Sequence, residues 1–163
     1  MAQNFMPTGY HALTPSVVVD DASKALDFYQ KAFGAKETYR LPMGQKIAHA
    51  EMDIAGSRFM LSDEFPEWGA LSPKSRGGAT GGMLIYVPDA DAAIEKAVQA
   101  GATVVQPPED QFWGDRMGTV VDPFGHKWML GTHKEDVSPQ EMERRGQAWL
   151  EDMKQRTGTN TKQ

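Results

Sequence analysis

The sequence predicts an α+β fold made of two copies of one βαβββ unit, followed by a C-terminal helix. Three observations predict it. "GSRFML" at residues 56–61 returns as "GHKWML" at 125–130, so glycine, a base, an aromatic, Met and Leu recur 69 positions apart. "VVVDDASKALDFYQKAFGA" (17–35) has a counterpart in "LIYVPDADAAIEKAVQAGA" (84–102): a β-branched or aromatic strand, an acidic cap, then an Ala-rich helix ending at Gly-Ala. The offset between matched landmarks stays between 67 and 69, as expected of an internal duplication with small insertions.

The elements follow in order. In the first copy, strands are expected near 13–19, 36–41, 46–54 and 57–63; in the second, near 82–87, 103–106, 115–121 and 126–131. Asp21 and Asp89 fit helix N-caps, and Gly34 and Gly101 fit the left-handed stop. Ala25, Leu26, Tyr29 and Phe33 give the first helix its apolar stripe, and Ala93, Ile94, Ala97 and Val98 give the second. "LPMGQ", "IAGS", "VQPPED" and "DPFGH" punctuate the strands. The two units, about 11–71 and 82–133, form one domain over 1–135, joined by a Gly-rich flexible linker at 72–81. Asp63, Glu64 and Glu67 are expected to solvate a loop. Residues 136–156 form an amphipathic helix opened by a capping box of Ser138, Pro139 and Glu141, with Met142, Trp149, Leu150 and Met153 on its apolar stripe. Residues 157–163 are expected to be disordered.

Composition narrows the partners. Of 163 residues, 40% are hydrophobic and 24% charged, a globular balance. The net charge of −5 argues against nucleic acid, which needs a concentration of Lys and Arg. No apolar run reaches the roughly 18 residues of a membrane helix, and the N-terminus lacks a signal-peptide pattern, so the expected location is the cytoplasm. With no Cys there is no disulfide, thiolate nucleophile or Cys-ligated metal.

The two βαβββ copies, the "VVVDDASKALDFY" opening and the "DPFGHKW" closing stretch resemble the vicinal oxygen chelate superfamily, which includes glyoxalase I, extradiol dioxygenases and bleomycin-binding resistance proteins. "MLSDEFPEWG" and "PPEDQFWGDRMGTVVDPFGHKWMLGTH" are similar to its PhnB-like branch. The resemblance implies mixed sheets curled into a cup, often shared between two chains of a dimer. It also implies a divalent metal held from the first and last strand of each unit, with a last-strand pattern of glycine, three residues, then glutamate followed by Leu. Here those glutamate positions hold Met60 and Met129, and the first-strand positions fall on Thr14 and Gly82. Two thioethers, a hydroxyl and a glycine are a poor set for such an ion, so no metal or other cofactor is expected.

Strand alternation counted from these positions selects the residues facing the cup. They are Ser16, Met60, Ser62, Tyr86 and Met129, with His49 and Glu51 on the third strand and, by repeat equivalence, Arg116. Trp68 and Trp113 are expected near the mouth, while His126 points away with Trp128. His49 and Glu51 form either a solvated strand face or a base with its orienting partner. Arg116 either pairs locally with Asp115 or clamps an anion.

Two functions remain open. One is a homodimer that sequesters an apolar or aromatic small molecule without metal. The other is a metal-independent lyase or isomerase using His49–Glu51 as base and Arg116 as clamp. A metal-dependent lyase or dioxygenase rests on the resemblance alone.

Overall fold

The computed structural model describes residues 5–158. Its first unit runs β1 (Ser16–Val19), α1 (Ala22–Phe33), β2 (Lys36–Met43), β3 (Lys46–Ile54) and β4 (Ser57–Asp63). A short helix α2 (Pro73–Arg76) precedes the second unit: β5 (Gly82–Tyr86), α3 (Ala90–Ala100), β6 (Thr103–Asp110), β7 (Asp115–Val121) and β8 (Lys127–His133). The long helix α4 (Pro139–Gly158) closes the described chain. Each unit forms one four-stranded mixed sheet, in the orders β1-β4-β3-β2 and β5-β8-β7-β6. The first and last strands of each unit pair in parallel and the other pairs are antiparallel.

Local chemistry sets the helix ends. Asp21 and Asp89 each accept a hydrogen bond at 3.0 Å from the backbone N–H three residues on. Gly34 and Gly101 end the helices at φ 67° and 118°, where a Cβ would be strained.

One core serves both units. Helix α1 packs on the helix-bearing face of its own sheet and against α3 and β8. Phe33 and Phe59 of the first unit lie 4.8 and 5.8 Å from Trp128 of the second. Buried Asp122 ties the units together, accepting from Tyr29 Oη and Trp128 Nε1, each at 2.8 Å.

Several boundaries differ from expectation, for readable reasons. β1 starts at Ser16 because the Thr14 hydroxyl turns back to the His11 carbonyl at 2.9 Å. β2 and β6 run longer than predicted, through Pro42 and through Pro107 and Pro108. Both are edge strands, where proline is tolerated, and the register shifts at those prolines. The joint is not flexible throughout. Ser72 is fully buried and caps α2, and Glu64 accepts from Ser72 N at 3.0 Å and Ser75 Oγ at 2.8 Å. Asp63 is buried too, accepting from Ala22 N at 2.8 Å and Ile47 N at 2.6 Å. These carboxylates fasten a unit corner and do not solvate a loop. The C-terminal helix starts at Pro139 as the capping box implies, with Ser138 Oγ accepting from Glu141 N at 3.3 Å, so 136–138 of the expected span precede it. It continues through Gly158; residues 159–163 of the expected disordered tail lie outside the described residues. Trp149 meets Phe112 at 5.8 Å, while Leu150 and Met153 are exposed.

Candidate functional site

The face of each sheet away from the shared core carries most of the candidate residues. On the first sheet, Glu51 lies opposite Met60, which pairs in turn with Ser16; Ser62 pairs with Val18. His49 Nε2 and Glu51 Oε1 are 3.3 Å apart, and Arg58 Nη1 reaches Glu51 Oε2 at 3.3 Å. Arg58 also sits 4.7 Å from the Tyr10 ring centroid, so the segment before β1 folds onto this cluster. The Tyr10 hydroxyl is the largest influence holding the Glu51 carboxyl below its usual range; burial opposes it, and His49 and Arg58 reinforce it. Glu51 is therefore a charged acceptor shared by three donors, a weak orienter for one imidazole.

On the second sheet, Met129 lies opposite Thr119 and Leu84, and Tyr86 pairs with Gly131. Beside them is a cluster that the sequence reading did not assemble. Buried Asp115 accepts from the Tyr86 hydroxyl at 2.9 Å, Trp113 Nε1 at 3.1 Å and His133 Nδ1 at 2.8 Å. Burial pushes the Asp115 carboxyl up, but these three bonds outweigh it and hold the group below its usual range. His133 Nε2 meets Asp136 at 3.0 Å. A carboxylate accepts only, so both ring nitrogens donate and the imidazolium is favoured. The His133 pKa is accordingly raised, chiefly by Asp115 and then by Asp136.

That shift has a sign. The folded pKa lies above the ordinary 6.5, so its stabilisation is complete below the ordinary value and is lost as pH rises through the folded one. His133→Gln is expected to flatten the fall in stability as pH rises above the ordinary 6.5. An unchanged slope in chemical denaturation over that range counts against the pairing.

Arg116 corrects the sequence reading. It points to the helix-bearing side, where its guanidinium pairs bidentately with Asp91 on α3 (Nη2–Oδ1 2.7 Å) and with Asp110 at 3.3 Å. The cause is one residue of register. The last strands correspond at an offset of 69, but Arg58 pairs with Asp53 while its counterpart Lys127 pairs with Val121, an offset of 68 on the third strands. Because side chains alternate, a slip of one moves every residue to the other face. Asp115, not Arg116, takes the inward place. Trp68 stacks on Phe65 at 4.6 Å in a turn beyond β4 and is 64% exposed. Trp113 is bound to the Asp115 cluster. His126 Nε2 donates to the Val18 carbonyl at 2.9 Å, away from the open face as expected.

Within one chain the candidates do not share one cavity. Tyr86 lines a cavity of about 480 Å³ at the seam between the units, whereas Met129 lines a separate groove of about 520 Å³ with Thr119 and Lys127. Met60, His49 and Glu51 line neither. The residues at the family's metal positions do not fit a divalent ion. Thr14 spends its hydroxyl proton on His11 O, Gly82 has no donor side chain, and Met60 and Met129 offer uncharged sulfur. Among the described residues no group of three or more His, Asp or Glu is arranged to replace them. No helix among them is long and apolar enough to cross a membrane.

Comparison with known proteins agrees with this architecture. The chain is 45% identical over 147 residues to the uncharacterized protein Rv0887c of Mycobacterium tuberculosis (strain ATCC 25618 / H37Rv), covering 88% of this chain and 84% of that one. The Arabidopsis thaliana protein At5g48480 is 34% identical over 128 residues, covering 73% of this chain and 76% of that protein. Its crystal structure superposes with a TM-score of 0.61 at 31% identity, over 74% of this chain and 98% of that one. TioX from Micromonospora sp. ML1 superposes with a TM-score of 0.60 at 28% identity, over 76% of this chain and 98% of that one. The family model for the Glyoxalase/Bleomycin resistance protein/Dioxygenase superfamily matches residues 10–130, the span of both βαβββ units, and to that superfamily the chain belongs.

Proposed function

We propose that this protein is a metal-independent binding protein that sequesters an apolar or aromatic small molecule in a cup completed by a second copy of the chain. One observation carries the reading: both metal-ligand positions on the last strands hold thioethers, set in open faces that leave Leu41, Tyr39, Leu84 and Tyr86 exposed. Thioethers adapt to aromatic guests, and apolar strand faces of this kind ordinarily find a cover. A second copy supplies it, and the apolar stripe of α4 adds surface to the same contact.

Native mass spectrometry of protein purified from its own host tests the reading. The expected species is a dimer that retains an organic ligand and no stoichiometric metal. A monomer at micromolar concentration, or about one metal ion per chain lost on replacing Thr14 or Met129, overturns it.

A second reading, metal-independent proton transfer, is favoured by the Asp115–His133 pair. At 2.8 Å it is better formed than His49–Glu51 at 3.3 Å, and its carboxylate is buried while the imidazole is half exposed. Release of Nε2 from the fully exposed Asp136 leaves an imidazole oriented by Asp115, which suits an acid–base group. Turnover abolished by His133→Gln with binding retained separates it from sequestration.

A further inference from the structure

The seam cavity borders both open faces, from which Arg58, Leu84 and Tyr86 reach it, and differs from them in the core-side Phe59, Ile85 and Trp128 that also line it. Its volume of about 480 Å³ lies inside the usual range for small-molecule sites. The segment before β1 closes one side with His11 and with Leu13, whose side chain is 87% exposed. The Tyr86 hydroxyl is committed to Asp115, so this residue offers the cavity its ring.

The fixed charge on the lining is positive. Arg58 and His11 are its basic groups, and no carboxylate lines it. Arg58 is also incompletely paired. Its contact to Glu51 is 3.3 Å, long for a charge-assisted bond, and its Nε is buried with no acceptor among the described residues. A guanidinium presents a planar fork of donors that matches a two-oxygen anion. Glu51 keeps Tyr10 and His49 if it gives up this contact.

We propose that the seam cavity binds a small organic anion, a flat apolar body bearing a carboxylate or sulfonate, with Arg58 as the anion-binding residue. The body lies against Trp128, Leu84 and the Tyr86 ring, and the acid group meets the guanidinium. This site lies within one chain and, although Arg58, Leu84 and Tyr86 also belong to the open faces, does not need the second copy that completes the cup.

Fluorescence titration of the full chain with anilinonaphthalenesulfonate, and with uncharged phenylnaphthylamine as control, tests the assignment. Arg58→Met is expected to weaken the sulfonate about tenfold or more while leaving the amine within about twofold. Leu13→Asp places a carboxylate beside the cavity on an exposed side chain, so it spares the fold. It is expected to weaken the sulfonate several-fold and to spare the amine, and it decides the matter if Arg58→Met does not fold. Sulfonate binding unchanged in a folded variant overturns the assignment, as does equal loss of both probes. Met129→Glu, on the open face, is expected to leave Arg58-dependent binding intact. If that variant abolishes it instead, the probe occupies the cup, and the seam assignment fails while the cup reading stands.

Discussion

Asp122→Ala is expected to destabilise the protein by about 3–5 kcal/mol, the range for removing one member of a buried charged network. The carboxylate is 4% exposed and accepts four hydrogen bonds. Oδ1 takes the backbone N–H groups of Phe124 and His126 at 2.9 Å each, which holds the "DPFGH" turn. Oδ2 takes Tyr29 Oη and Trp128 Nε1, one from each unit. Burial and then the Asp122 charge raise the Tyr29 pKa, so the phenol stays a donor at any ordinary pH. Alanine therefore leaves two backbone and two side-chain donors in a dry interior. Urea unfolding followed by Trp fluorescence measures the loss; a change under about 1 kcal/mol contradicts the role given to this residue.

Trp128→Ala is expected to cost about 3–5 kcal/mol, by emptying a large volume from a close-packed core. The indole is 2% exposed, and Tyr29, Phe33 and Phe59 contact it from the first unit. A void there sits where the units join and cannot collapse without moving α1 or β4. Trp128→Phe refills much of the space and loses the bond to Asp122, so a smaller cost is expected. Because Asp122 and Trp128 share that bond, the double variant should lose less than the sum of the two singles. Additive losses in the same urea experiment show that the indole acts through packing alone.

Features governed by short-range chemistry were legible in the sequence. The caps at Asp21 and Asp89, the stops at Gly34 and Gly101, and the turn of Phe59, Leu61, Trp128 and Leu130 toward the core need only neighbours and alternation. What depends on pairing between strands was not. The Arg116 error came from carrying one offset across a hairpin whose loop differs in length between copies, Ala55–Gly56 in one and 122–126 in the other. The Asp115 cluster gathers residues 86, 113, 115 and 133, which nothing in linear spacing connects. A signal did exist: testing 68 as well as 69 puts Asp115 on the inward parity beside Tyr86. Asp63 and Glu64 sit where acidic residues are usually solvated, and only the fold shows the N–H groups they receive.

The one-residue difference between the copies has a consequence for molecular recognition. Duplication begins with two identical surfaces, but here His49, Glu51 and Arg58 line one open face while their counterparts Met117, Thr119 and Lys127 line the other. The pseudo-twofold relation survives in the backbone and is broken in the chemistry. Any guest spanning the two faces meets His49, Glu51 and Arg58 on one side and, on the other, the Met117 and Met129 thioethers beside the Asp115–His133 cluster. Its head and tail are thereby distinguished, so an elongated molecule with one polar end has a single preferred orientation, and its mirror placement is disfavoured.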